Sequence, residues 1–136
     1  MRTARSLDLN DAKRIAAAAE VEAKTHGWPV VIAIVDAAGH LLYLQRNDGA
    51  QLGSLDVALG KATTAALFRR PTKDWEERLA EGRLGFLSFR NQVFLEGGVP
   101  VVIDGDVVGA VGVSGVKSNE DAQIARAGIA ALSTGT

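Results

Sequence analysis

The sequence contains no cysteine, which excludes disulfides, thiolate metal sites, iron–sulfur clusters and cysteine nucleophiles and leaves the redox compartment open. Histidine is almost as scarce. His26 and His40 are the only two, and neither belongs to an H-E-x-x-H or comparable spacing, so no local motif specifies a metal centre. There is no stretch of ~20 consecutive apolar residues free of glycine or charge, and the amino-terminal MRTARSLDLNDAK has no signal-like apolar run; a cytoplasmic protein without a membrane span is the expectation. Neither sign of charge prevails. With 15 basic against 16 acidic residues and no long runs of either, there is no electrostatic case for nucleic acid or an anionic membrane. The partners to expect are a small anionic molecule and other subunits. Apolar residues, by contrast, make up 47% of the 136, enough to build a core for one domain over residues 1–136 with no linker.

The chain is organised around Val30 to Phe68. These residues read as a buried strand, a tight turn at Asp36-Ala37-Ala38-Gly39, a second strand, a polar loop Arg46-Asn47-Asp48-Gly49 and an almost wholly apolar helix from about Leu55 to Phe68. Asp56 and Lys61 are the only charges on that helix. An ammonium on a helix apolar nearly all round is costly unless an anion meets it, which makes Lys61 the most informative residue of the chain.

From the amino terminus, Asp8 and Asp11 form a capping-box-like start to a helix over Leu9 to His26, ended by Gly27. The spacing predicts a buried face of Ala12, Ile15, Ala16, Ala19 and Ala23, with His26 continuing that line. Val30 to Val35 is a continuous β-branched and apolar run, as expected of a central strand covered on both faces. The turn at Gly39 returns His40 to Arg46 as its antiparallel partner. Ser54, after Gly53, caps the apolar helix, and Pro71 prevents its continuation. From Arg69 to Glu96 the composition turns charged and aromatic, with Trp75 and three of the four phenylalanines. A short helix over Thr72 to Ala80 and an extended segment near Phe86 to Phe94 are expected there. Val99 to Ile103 and Val107 to Val113 form a hairpin across Asp104-Gly105. Gly109, Gly112 and Gly115 imply close backbone approach by a helix or ligand, and Ser118 with Asp121 opens a final helix to about Leu132. This order gives an α+β domain, a mostly antiparallel sheet of about five strands with helices packed on it.

Two catalytic motifs nearly match and fail. Gly112-Val113-Ser114-Gly115-Val116 has valine where a nucleophile elbow requires its last glycine, and both histidines lie upstream. In the segment through Gly115-Val116-Lys117-Ser118, Val116 stands where a phosphate loop needs its second glycine. Lys61 has two readings. In the structural one its stem lies under an ammonium that reaches the sheet edge, or it pairs with Asp36 or Asp48. In the functional one Lys61, Arg46 and the unpaired amides of Gly53 and Ser54 converge on a carboxylate or phosphate, with Asp48 as a candidate general base. His26 is either a helix-end residue favoured by the dipole or a neutral imidazole ligand to haem iron or another metal. His40 reads as a turn-adjacent surface residue.

Four segments follow one another in the chain: V-D-A-x-G-x-L, R-x-D-G-A, G-S-x-D-x-A-x-x-K-A-x-T-A and G-G-x-P…G-x-x-x-G-A-x-G-V-S-G. As a set they resemble the GlcG/HbpS family, which includes the C-terminal domain of PduO-type proteins, over essentially the whole length. The departure is Arg83 to Val93, more charged and less rich in Gly and Pro than that family. The resemblance implies a profilin-like α+β fold, homo-oligomers including octamers, and haem binding in several members. Other members sit beside enzymes of small-organic-acid catabolism. It also carries over Arg46, Asp48, Ser54, Lys61 and Thr64 as pocket residues. The leading reading is a haem-binding or haem-handling protein, with His26 as axial ligand and Arg46 and Lys61 holding propionates. The alternatives are an enzyme or carrier whose same corner holds a small organic acid, and a structural or regulatory oligomer. Whether the protein is an enzyme stays open.

Overall fold

In the computed structural model, which describes residues 1–134, Asp8 and Asp11 close a reciprocal capping box at 2.9 and 3.0 Å. Helix α1 runs from there over Leu9–His26 to Gly27, whose φ of 69° ends it in the left-handed conformation. Its buried residues are Ala12, Ile15, Ala16, Ala19 and Ala23, the face that the spacing predicts. His26 departs from that face and is exposed.

Strands β1 (Val31–Asp36), β2 (Leu41–Arg46), β3 (Gly98–Ile103) and β4 (Asp106–Ser114) pair antiparallel in the order β2-β1-β4-β3. β1 is therefore internal, and both of its faces are covered. Val30, Ile32 and Ile34 join the core formed with α1 and α4 (Ser118–Thr134), while Val31, Ala33 and Val35 pack against α2 (Ser54–Phe68). Burial on alternate sides is why the run shows no polar interruption. The β1–β2 turn is held by Asp36, whose Oδ1 accepts from the amides of Ala38 and His40 at 2.9 and 3.0 Å. Asp104 and Gly105, at φ 50° and 83°, make the two-residue turn between β3 and β4.

Helix α2 lies on the sheet almost backbone to backbone. A Cβ on Gly112 would run into the Ala58 carbonyl and the Ala62 amide, and one on Gly98 into the Lys61 carbonyl. The close approach expected at Gly112 is thus made by a helix, and alanines at 58, 62, 65 and 66 complete the contact.

Three expectations are corrected. Among the described residues the sheet has four strands, not about five, because the segment near Phe86 to Phe94 is not extended. After α3 (Thr72–Ala80) the chain makes a 3-10 turn over Leu84–Ser88. A strand would send Phe89 to the face opposite Phe86 and Phe94; here all three gather on the Trp75 indole, with ring centroids 4.9, 5.9 and 5.0 Å away. Second, Gly53 occupies the cap of α2, and Ser54, the first helical residue, turns its hydroxyl inward to Ser114 Oγ at 3.2 Å. Third, at α4 no reciprocal Ser118–Asp121 box forms: Glu120 accepts from the Lys117 amide and the buried Asp121 from the Val116 amide, each at 3.2 Å.

Candidate functional site

Lys61 is only 2% exposed and is, among the described residues, the largest fully buried side chain. Its Nζ donates to Asp121 Oδ2 and to the Val113 carbonyl, both at 3.0 Å. Asp121 is buried to the same degree, and its Oδ1 accepts from the Val116 amide at 3.2 Å. The anion that the buried ammonium demands is therefore present. It comes from α4, neither from Asp36, which holds its own turn, nor from Asp48. Burial pushes the Asp121 carboxyl up from 3.8 to about 6, against the lowering pull of Lys61 and of the Val116 amide. The pair ties α2 to β4 and α4 across the end of the sheet.

The expected corner of Lys61 with Arg46 and the Gly53-Ser54 helix start does not assemble. Lys61 reaches toward β4 and α4, whereas Arg46 ends β2, on the far side of β1. Gly53 is exposed, and the Ser54 hydroxyl is turned to Ser114. Thr64 is fully buried: its Oγ1 donates to Gln92 Oε1 at 2.9 Å and accepts from the Val93 amide at 3.0 Å, pinning the loop after the 3-10 turn.

Arg46 and Asp48 do come together, in a cleft of about 590 Å³ where the end of α1 meets the loop after β2. Glu20, Lys24, Trp28 and Pro29 form its opposite wall. Lys24 Nζ lies 2.6 Å from Glu20 Oε1; this hydrogen bond raises the Lys24 pKa, with a smaller contribution in the same direction from Asp48. Beside the cleft the His26 ring stacks on Trp28, centroids 4.3 Å apart and planes 17° from parallel. His26 Nε2 is 3.3 Å from Glu22 Oε2 and 3.4 Å from Gln123 Nε2. One tautomer donates to Glu22 and the other accepts from Gln123. His40 is exposed at the start of β2. Among the described residues no group of three or more His, Asp or Glu side chains is placed to hold a metal ion. The cleft thus offers two cations, an indole and an adjacent imidazole, a set suited to a planar ligand carrying carboxylates.

Lys24 and Trp28 are not marked by any motif, and Asp121 is marked only as a helix-capping residue. For Asp121 a signal exists. It is followed by Ala122, Ile124 and Ala125, all buried, so its carboxylate faces the same desolvation problem as the Lys61 ammonium, and each charge identifies the other's partner.

Residues 7–130 match the family described as "Haem degrading protein HbpS-like". Protein GlcG of Escherichia coli strain K12 is 46% identical over 114 residues, 84% of this chain and 85% of that one. Among solved structures, a double mutant of Streptomyces reticuli HbpS superimposes with a TM-score of 0.90 at 37% identity, covering 97% of this chain and 90% of that one. A structure described as a PduOC:heme complex gives 0.84 at 30% identity, covering 93% and 94%.

Proposed function

The chain belongs to the HbpS-like family, and from that premise we propose that it binds haem at the cleft beside the end of α1. The observation that carries this reading is the placing of an accessible imidazole, His26 on Trp28, next to a cleft that holds Lys24 and Arg46. The cleft volume of about 590 Å³ lies within the range of small-molecule and cofactor sites. The haem complex formed by a structural relative supports haem as the ligand.

In this assignment His26 would hold the iron, Lys24 and Arg46 would hold the propionates, and the Trp28 indole would carry part of the ring surface. Haem, when bound, supplies a redox-active iron with an exchangeable coordination position. To hold the iron through Nε2, His26 would give up its contacts to Glu22 and Gln123. Both contacts involve an exposed ring, and such solvent-accessible pairs are worth about 1 kcal/mol or less. Lys61, Ser54 and Thr64 serve the fold in this reading, and Asp48 lines the cleft beside Arg46. Assembly into a homo-oligomer and a cytoplasmic setting belong to the same proposal. The self-associating surface is the aromatic segment after α3, where Leu84, Leu87, Phe89 and Leu95 are exposed.

The test is titration with hemin, read at the Soret band. His26→Ala is expected to bind at least about tenfold more weakly than wild type, as loss of an iron ligand implies, while His40→Ala binds normally. Equal affinity in wild type and His26→Ala removes His26 as a ligand, and no saturable Soret change in wild type removes the haem reading altogether.

A further inference from the structure

A second, smaller cleft lies over the buried Lys61–Asp121 pair. Its volume is about 160 Å³, and it is bounded by Pro71, Lys73 and Asp74 at the start of α3, by the segment 96–99 leading into β3, and by Ala122 and Arg126 on α4. It shares no lining residue with the cleft beside α1.

Several independent features make it receptive to an anion. Arg126 is exposed and makes no hydrogen bond or ion pair within the described residues, so its fork of donors is available to a carboxylate. The Lys61 ammonium uses two of its N–H groups on Val113 and Asp121, and the third meets no acceptor among the described residues. That ammonium lies directly against the floor: a Cβ on Gly97, which lines the cleft, would be 2.7 Å from Nζ. Its charge is balanced by Asp121 at 3.0 Å, so what Lys61 adds to the floor is an unused N–H donor and not a net field. The nine-residue α3 also opens here, the positive end of its dipole at the cleft. On the rim Asp74 and Glu96 supply acceptors of the opposite sign.

We propose that this cleft binds a small carboxylate that also carries a hydrogen-bond donor, a hydroxy acid or an amino acid. Arg126 takes the carboxylate, and Asp74 and Glu96 take the donor. The volume equals that of about five waters, which limits the ligand to roughly six non-hydrogen atoms. No porphyrin fits, so the proposal stands or falls apart from the haem reading.

The experiment follows the backbone amides of Gly97, Gly98 and Ala122 by heteronuclear NMR while the full chain is titrated with lactate, alanine or propionate. Saturable shifts at those amides are expected with lactate or alanine, and weaker ones with propionate; the tighter of the first two identifies the donor as hydroxyl or ammonium. Arg126→Gln is expected to melt with wild type, since the side chain has no partner to lose, yet to bind at least about tenfold more weakly. The proposal is overturned if no acid gives a saturable shift, if the shifts fall at Trp28 and Asp48 instead, if propionate binds as tightly as the other two, or if Arg126→Gln binds like wild type. Hemin titration of Arg126→Gln, expected to match wild type, keeps the two sites distinguishable.

Discussion

Replacing Lys61 by methionine keeps the apolar stem and deletes the ammonium, leaving the Asp121 carboxylate buried at 2% exposure with only the Val116 amide for company. Breaking a buried pair in this way costs about 3–5 kcal/mol. For a chain of this length that corresponds to a fall in melting temperature on the order of 10–20 °C. The variant has one escape, which is to take up a proton. Burial already holds the Asp121 carboxyl at about 6 with Lys61 pulling it down, and without Lys61 it rises further. The loss should therefore be largest near pH 8 and shrink by up to about 1.4 kcal/mol for each unit the pH falls, until Asp121 is neutral. Lys61→Met/Asp121→Leu removes both charges and is expected to recover most of the loss, since apolar replacement of a whole buried pair is often neutral or stabilising. Urea unfolding of wild type, both single variants and the double variant, at pH 8 and pH 6 and at one fixed protein concentration, gives the coupling energy directly. Additive single losses, or a Lys61→Met loss below about 1 kcal/mol at pH 8, would refute the claim that these two charges exist for each other.

Two further outcomes follow from the same description. The folded Asp121 carboxyl lies at about 6, above its ordinary 3.8, so on acidification the folded state binds the proton before the unfolded chain does. Relative to Asp121→Asn, wild type should gain about 1 kcal/mol of stability between pH 7 and pH 5; a loss over that window would mean that attraction to Lys61, not desolvation, governs the group. Light scattering at micromolar concentration should return the mass of a homo-oligomer, and a monomeric mass would withdraw the role given to Leu84, Leu87 and their neighbours.

How much could be read in advance differs by element, for physical reasons. The first helix was legible to its last buried alanine because its signals are local: a capping pair three residues apart, a three-and-four periodicity and a terminal glycine. β1 was legible because two-sided burial leaves a mark that only a central strand carries. The aromatic segment misled because its rings answer to Trp75, more than ten residues back, and not to a sheet face. Lys61 shows both limits in one residue. Its need for an anion follows from the helix alone, but the supplier stands sixty positions later on another helix, and Ser118 three residues before it gave Asp121 the look of a capping residue. Arg46 and Asp48 line one cleft because one loop carries both. Lys24 and Trp28 join them only once α1 is laid beside that loop.

The seam between α2 and the sheet has a consequence for how such a protein changes over generations. At Gly98 and Gly112 the side chain is already the smallest there is, and the next size up strikes main-chain atoms of the helix. Most substitutions elsewhere in a core can be answered by a compensating one nearby, a larger residue here for a smaller one there. A carbonyl or an amide nitrogen cannot be exchanged, so no second change restores the fit. Variation along this seam has no intermediate steps to travel by, and novelty in the fold has to arise at its loops and outer helices.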